Sequence, residues 1–246
     1  MARPRRRADG EAFLVCGSRG SGKSGWTRQQ CEGAERLLVW DSVGEWSRDD
    51  LVKPVRSLQQ LHDLITADLA NPGPFRYGYT GRVNAKTFNT FCKLAFVWMK
   101  AAPGGVVVVE ELADVTSPGK APEGWGEIVR KGRHYSGSIY GLTQRPAESD
   151  KTLAGNADVI HCGRLSFPTD RKTLAEYLDV DVEQITALPS LHYIERDMRT
   201  RDLYHGVLSF SGKQQRQKIA TNTEYREFLV DTLNSHIASM KRHRKK

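Results

Sequence analysis

The sequence predicts an α/β fold in which helices cover both faces of a mostly parallel sheet. Short apolar runs alternate along the chain with longer amphipathic stretches, which is the pattern of this class. One run, Val106–Val109, consists of four valines and is typical of a strand buried on both faces. A length of 246 residues suits one domain that needs no disulfide or structural metal. We expect that domain over residues 11–240, between basic disordered tails at 1–10 and 241–246.

The first third of the chain is predicted to begin this alternation. Ala12–Cys16 is an apolar run before a glycine-rich turn, so we expect a strand there and a helix over about Lys23–Glu35. Arg36–Asp41 (RLLVWD) is predicted to be the second strand. Ser57–Leu69 is predicted to be an amphipathic helix because its leucines and isoleucine fall on one face. Phe75–Thr80 follows the breaker NPGP and is predicted to be an edge strand.

The rest of the chain continues the pattern and adds a small hairpin. Ala85–Ala101 has aromatic and aliphatic residues at core spacing and ends before PGG, so we expect a long helix. The next predicted elements after the valine strand are helix Gly124–Gly132, strands Ser138–Thr143 and Val159–Leu165, and helix Arg171–Leu178. We expect His192–Arg196 and Leu203–Phe210 to pair as an antiparallel hairpin, and Thr223–Met240 to form a terminal helix.

The charge of the chain indicates a polyanionic partner without proving one. The net charge is +8, and much of the excess lies in four arginines before residue 8 and in Lys241–Lys246. Such runs are either solvated tails or segments that bind nucleic acid. In the second case the affinity for DNA falls steeply with salt, because each phosphate contact releases a counterion.

The cysteines and the hydropathy pattern indicate an intracellular protein. The four cysteines are scattered, with no spacing typical of zinc ligands, and are predicted to be reduced and mostly buried. No apolar stretch reaches the length of a membrane span, and the arginines at the start are followed by ADGE, unlike a signal peptide. We therefore expect a cytoplasmic protein without stable membrane insertion.

A glycine-rich segment, GSRGSGKS at Gly17–Ser24, matches the phosphate-binding pattern G-x-x-x-x-G-K-[ST] without mismatch. A predicted strand precedes it and a predicted helix follows, so its backbone N–H groups can surround phosphate oxygens at a helix amino end. We expect Lys23 to reach the β- and γ-phosphates of ATP, and Ser24 to bind Mg²⁺. The predicted nucleotide contacts are Gly17, Ser18, Arg19, Gly20, Ser21, Gly22, Lys23 and Ser24.

Two adjacent carboxylates follow the valine strand, and an amide ends the strand SIYGLT. We interpret Glu110 as the carboxylate on the Mg²⁺ side and Glu111 as the base that polarises the attacking water. An exposed acidic strand end is the alternative. Gln144 is predicted to contact the γ-phosphate or the water, since its strand can lie between the phosphate-loop strand and the acidic strand. On its own, however, TQRP is an ordinary transition from a strand to a turn.

Four segments carry a resemblance to a known family: GSRGSGKS, VVVVEE, KGRHYSGSIYGLTQRP and GNADVIHCGRL. They resemble the FtsK–HerA superfamily of DNA-pumping ATPases, which implies a P-loop NTPase fold of the ASCE/RecA-like type. The most specific part is Lys131–Pro146. The segment DSVGEW at Asp41–Trp46 resembles an acidic-Gly-Glu-aromatic step of HerA-like members, and ITALPSLHYIERD resembles a segment near their final strands. The resemblance covers roughly residues 11–210.

The resemblance implies a homo-oligomer, usually a hexameric ring, in which an arginine of one subunit completes the site of the next. By position Arg133 is the first candidate for that residue and Arg130 the second, and a solvated helix face is the alternative for either. The sequence departs from the family at Glu110, where most members have Asp. This leaves the division of labour between Glu110 and Glu111 open.

Size, together with analogy, indicates which branch of the superfamily the chain resembles. The chain has no room for the extra domains of cellular members, and it most resembles the genome-packaging ATPases of tectivirus-like icosahedral viruses. This implies a motor that drives double-stranded DNA into a preformed capsid, in the host cytoplasm or at the packaging vertex with vertex proteins. The alternatives are a related motor for plasmid transfer or filamentous phage assembly, and a slow nucleotide-gated switch or scaffold.

Overall fold

A computed structural model describes residues 10–101, 103–210 and 215–219, together with residues 224, 227, 230 and 234. Within these residues one ten-stranded sheet forms the centre of the fold. Its strands are β1 (Ala12–Cys16), β2 (Arg36–Trp40), β3 (Lys53–Val55), β4 (Phe75–Tyr79), β5 (Val106–Val109), β6 (Ser138–Thr143), β7 (Val159–Gly163), β8 (His192–Asp197), β9 (Leu203–Val207) and β10 (Gln215–Ile219). The helices are α1 (Lys23–Gln30), α2 (Glu45–Arg48), α3 (Leu58–Ala70), α4 (Ala85–Ala101), α5 (Glu123–Lys131), α6 (Pro168–Leu178) and α7 (Val182–Thr186).

The strand order is β10-β9-β8-β7-β1-β6-β5-β2-β4-β3. The strands from β7 to β3 are parallel, so their carboxyl ends meet at one edge of the sheet. Strands β8, β9 and β10 extend the sheet by antiparallel pairing. As predicted, β6 lies between β1 and β5, which places the phosphate loop, Gln144 and the two glutamates at the same edge.

Two apolar layers cover the sheet, as the sequence predicted. Along β5, Val107 and Val109 face the layer that contains α3, α4 and α5, whereas Val106 and Val108 face the layer that contains Trp26 of α1. All four valines are fully buried, which explains why this strand contains no polar residue. The α/β prediction is therefore confirmed, together with the antiparallel pairing of β8 and β9.

Several predicted boundaries were wrong. Helix α1 ends at Gln30 and not at Glu35, because three turn residues lead into β2. Strand β4 is not an edge strand, since β3 pairs outside it. Proline lacks the N–H that a second partner strand requires, so Pro54 fits the edge position that β3 occupies. The short elements α2, α7, β3 and β10 were not predicted from the sequence.

The predicted ends of the chain lie largely outside the described residues. Gly10 is described and buried, and its N–H donates to the Arg133 carbonyl. Of the predicted terminal helix Thr223–Met240, residues 224, 227, 230 and 234 are described, and each is helical. The four cysteines are all described and buried, and none of them forms a disulfide, as expected. No helix within the described part of the chain combines the length and the apolar character that crossing a membrane requires.

Candidate nucleotide site

The phosphate loop is anchored at the carboxyl edge of the sheet by its first two residues. The Gly17 N–H donates to the Thr143 carbonyl at 3.1 Å. The Ser18 N–H and Oγ both donate to the Arg164 carbonyl, at 2.8 and 2.9 Å. These bonds fix the loop to the ends of β6 and β7, the two neighbours of β1.

The curvature of the loop depends on glycine at two positions. Gly20 and Gly22 have φ angles of 76° and 95°, in the left-handed region that side chains disfavour. Gly22 directly precedes α1 and has no side chain to cap the helix. The amino end of α1, with its partial positive charge, therefore borders the loop and suits an anionic ligand.

A cavity of about 770 Å³ opens beside the loop, within the usual range for small-molecule sites. The structure brings most of the predicted site residues to its wall, whereas Gly17 and Ser21 belong to the loop beneath it. The predicted residues that line the cavity are Ser18, Arg19, Gly20, Gly22, Lys23, Ser24, Glu110, Glu111 and Gln144. Further residues that line it, and that the sequence analysis did not select, are Gly25, Val43, Glu45, Ala113, Asp114, Leu142, Arg145 and Glu148.

Glu110 lies in a setting that disfavours its charge. It is only 5% exposed, and its pKa is raised to about 7. Burial is the largest cause, and the nearby Asp41 and Glu45 carboxylates contribute in the same direction. The Trp46 indole N–H, which donates to Glu110 Oε1 at 2.9 Å, and the Lys23 ammonium oppose this rise in pKa. The cavity wall as a whole is also acidic, because five carboxylates line it against the three basic side chains Arg19, Lys23 and Arg145.

The segment Asp41–Trp46 folds around its first residue. The buried Asp41 carboxylate accepts bonds from the Trp46 N–H at 3.3 Å, the Ser47 N–H at 2.9 Å and the Ser47 hydroxyl at 2.7 Å. This turn brings the Trp46 indole into contact with Glu110, and it places Glu45 at the wall of the cavity. The family resemblance identified the segment, but nothing in its spacing predicted that an indole would hold Glu110.

Both oxygens of Glu111 are engaged by the end of β6. Gln144 donates its backbone N–H to Oε1 and its side-chain amide to Oε2, each at 2.9 Å. The Thr143 hydroxyl also donates to Oε1 at 3.2 Å. The Glu111 backbone has a φ of 47°, in the left-handed region that side chains disfavour. Its carboxylate reaches the end of the neighbouring strand β6. The two adjacent glutamates thus have separate partners: Glu110 contacts the Asp41–Trp46 segment, and Glu111 contacts β6.

Arg145 is a cavity residue that the sequence analysis did not select. Its Nε donates to the buried Asp170 carboxylate at 2.9 Å, and its guanidinium forms an ion pair with Glu148. The guanidinium also lies 4.2 Å from the centre of the Phe167 ring. Its position directly after Gln144 in TQRP was the available signal.

The two predicted arginine residues lie away from this cavity in their own chain. Arg133 precedes β6 and lies at the amino edge of the sheet, 3.9 Å from Asp158. Arg130 is exposed near the carboxyl end of α5, which returns the chain from β5 to that same edge. Whether either one acts on a neighbouring subunit remains a prediction.

The strand order, the anchored phosphate loop and the acidic strand two positions from β1 define a P-loop NTPase fold of the ASCE type. No protein-family model matches the chain. The sequence is 38% identical over 180 residues to protein P9 of Pseudoalteromonas phage PM2. The matched segment covers 72% of this chain and 79% of P9. The chain therefore belongs to the same family as that protein.

Solved structures with the same fold include viral packaging proteins. One of them is the genome packaging NTPase B204 of Sulfolobus turreted icosahedral virus 2 in complex with AMPPCP. Its TM-score is 0.65 at 16% sequence identity, and the match covers 81% of this chain and 97% of the B204 chain. VirB4 of Thermoanaerobacter pseudethanolicus has a TM-score of 0.54 at 10% sequence identity, and the match covers 87% of this chain and 91% of the VirB4 chain. The likeness to these structures confirms the predicted P-loop NTPase fold.

Proposed function

We propose that this chain is an ATP-hydrolysing DNA translocase that packages double-stranded viral DNA into a preformed capsid. The observation that carries the proposal is the contact between Glu111 and Gln144 at the wall of the cavity that also contains Lys23 and Glu110. A base, a neighbouring amide, a lysine and a second carboxylate are the groups that phosphoryl transfer to water requires. The likeness in fold to B204, a genome packaging NTPase, supports the packaging role.

The residues present fit ATP with Mg²⁺. The phosphate loop offers backbone N–H groups, and Lys23 supplies an ammonium beside them. The hydroxyl of Ser24 and the carboxylate of Glu110 are the oxygen donors that would hold Mg²⁺. Burial, and to a smaller extent the nearby Asp41 and Glu45 carboxylates, raises the pKa of Glu110, and a divalent cation beside it would favour its charged form. When bound, the ion neutralises charge on the β- and γ-phosphates.

Glu111 is the proposed general base. Its Oε2 accepts only the Gln144 side-chain amide and keeps a lone pair that can take a proton from the attacking water, and loss of that amide bond would make the oxygen more basic. A γ-phosphate near Gln144 competes for its side-chain amide, because a phosphate oxygen is a strong acceptor. Gln144 then couples the presence of the γ-phosphate to the basicity of Glu111.

The proposed partners are double-stranded DNA, other copies of this chain in a hexameric ring, and proteins of the capsid vertex. In such a ring Arg133, or Arg130 as the second choice, would contact the nucleotide of the adjacent subunit. The exposed position of both side chains is compatible with this role. The proposed location is the host cytoplasm, at the packaging vertex of the capsid during DNA entry.

The test is ATP hydrolysis by the purified chain with and without double-stranded DNA, at low and moderate salt. We expect turnover that DNA stimulates, that salt weakens and that Lys23→Ala abolishes. ATP binding without any response to DNA at either salt concentration would favour the slow nucleotide-gated switch and reject the motor.

A further inference from the structure

The segment that follows β9 reaches the phosphate loop from the side opposite to the glutamates. Strand β9 runs in the same direction as β1, because it is antiparallel to β8, which is antiparallel to β7. Its carboxyl end and residues 208–210 therefore lie at the edge of the sheet that contains the loop. The Leu208 N–H donates to the Leu191 carbonyl at 2.9 Å, and the Gln29 amide of α1 donates to the Ser209 carbonyl at 2.7 Å.

Two glycines allow this segment to touch the start of α1. A Cβ at Gly22 would lie 2.5 Å from Cδ2 of Leu208, so any larger residue would push that side chain away from the loop. A Cβ at Gly25 would lie 2.6 Å from Cε1 of Phe210. Gly25 comes directly after Ser24, the last residue of the phosphate-binding motif. The Phe210 ring thus packs against the first turn of the helix that binds phosphate.

Phe210 is exposed despite this contact. It is 68% exposed, whereas every tryptophan of the chain is buried. A large part of its ring therefore remains open to a ligand, beside the apolar side chains of Leu208 and Leu191. An aromatic face in such a position offers a stacking surface to a planar group.

We propose that Phe210, supported by Leu208, is the platform on which the purine base of a bound nucleoside triphosphate stacks. The proposal rests on the nucleotide site proposed above. Glu111 and Gln144 fix the γ-phosphate end on the β5–β6 side of β1, so the ribose and base extend from the loop towards β7, β8 and β9. Phe210 contacts Gly25 of α1, which lines the nucleotide cavity, whereas the Phe210 ring itself borders a neighbouring cavity beside Gln29. The ring has no hydrogen-bonding group, so it holds a base by its face and does not read its edge.

The experiment compares the binding of ATP and of inorganic tripolyphosphate, each with Mg²⁺, to the full chain. We expect Phe210→Ala to weaken ATP binding about tenfold or more, in line with the loss of one stacked aromatic ring. Tripolyphosphate has no base, so its affinity stays unchanged. The matched control is Met198→Ala, which removes another exposed apolar side chain in the β8–β9 turn, and which leaves both affinities unchanged.

A second variant, Phe210→Trp, tests the stacking contact directly. It keeps the aromatic face, so ATP affinity stays within a few-fold of the wild type. Since all five natural tryptophans are buried, the new indole is the one most accessible to acrylamide. We expect ATP, but not tripolyphosphate, to protect it from acrylamide quenching.

Each outcome separates the base platform from the nucleotide site itself. Unchanged ATP affinity in Phe210→Ala, or an equal loss for ATP and tripolyphosphate, overturns the platform. The proposed function stands in that case if wild-type chain binds both ligands and Lys23→Ala binds neither. Wild-type chain that binds neither ligand rejects the nucleotide site, and the platform with it.

Discussion

The two edges of the parallel sheet contain charged residues in opposite arrangements. At the carboxyl edge, Lys23 and Glu110 line an open cavity, and the pKa of Glu110 is raised to about 7. At the amino edge, the Asp158 carboxylate accepts the Ala12 N–H at 2.9 Å and lies within 4 Å of two arginines, Arg133 and Arg199. At the carboxyl edge the charged side chains face an open cavity that a ligand can enter, whereas at the amino edge Asp158 already has its partners within the fold. The difference supports the proposal that the carboxyl edge binds the nucleotide and that the amino edge stabilises the fold.

The largest expected effect separates the two edges by activity. Glu111→Gln keeps the size of the side chain but removes its basicity, so we expect kcat for ATP hydrolysis to fall by about 10²- to 10⁴-fold. The free energy of unfolding should change little, since an amide at this position can still contact Gln144. Steady-state kinetics and urea denaturation of the same preparation measure both quantities. A variant with normal kcat would remove Glu111 from the role of base.

The converse variant at the amino edge is Asp158→Ala. It leaves the buried Ala12 N–H without its acceptor and removes the partner of two arginines, so we expect a loss of roughly 2–3 kcal/mol in the free energy of unfolding. The kcat of the folded fraction should fall far less than in Glu111→Gln, because Asp158 lies away from the cavity and Arg133 itself is kept. Should kcat fall as far as in Glu111→Gln, the two edges would not differ in the way described.

The interior of β9, apart from either edge, should add a pH effect on stability of its own. Burial, with a smaller contribution from His192, lowers the pKa of His205 to about 3. Between that value and the unfolded value of about 6.5, the unfolded chain binds the extra proton, so stability is complete above pH 6.5 and is lost as the pH falls. We expect the wild type to lose about 2 kcal/mol more than His205→Leu between pH 7.5 and 5. Urea denaturation at the two pH values measures this difference, and parallel losses in both proteins would contradict it.

The smallest expected effect is the loss of activity when one of two buried indoles, Trp46 or Trp98, is replaced. Trp46 donates to Glu110 at 2.9 Å, and Trp98 donates to Asp68 at 3.1 Å, far along α4 from the loop. Trp46→Phe should lower kcat/KM for ATP about tenfold, because loss of a hydrogen bond to a charged group costs about 1.5 kcal/mol or more. Trp98→Phe is the matched control, with the same change at a carboxylate outside the cavity. Equal activity of the two variants would argue against a positioning role for Trp46.

The sequence predicts those parts of the molecule that local patterns encode. The loop Gly17–Ser24 is recognisable because a phosphate cradle needs its glycines, lysine and serine at fixed spacing. The strand Val106–Val109 is recognisable because burial on both faces excludes polar residues. The position of Gln144 follows from these two, once β6 is placed between β1 and β5.

The missed features depend on contacts between distant parts of the chain. Trp46 contacts Glu110 across 64 positions, and no spacing in either segment encodes that bond. The sequence pattern predicts Phe210 only as the end of a hairpin strand, and its contact with Gly25 arises from the placement of β9 beside the loop. The strand β3 is three residues long, too short for a periodic signal. Tertiary pairing, and not local preference, decides each of these.

The measurement that tests the central claim most directly is ATP-driven movement along double-stranded DNA. A duplex that carries a triplex-forming oligonucleotide reports such movement when the third strand is displaced. We expect the wild type to displace it with ATP and Mg²⁺, but not with a non-hydrolysable analogue, and Glu111→Gln to bind DNA without displacing it. Vigorous ATP hydrolysis with no displacement under any condition that permits DNA binding would contradict the proposal that this chain is a DNA translocase.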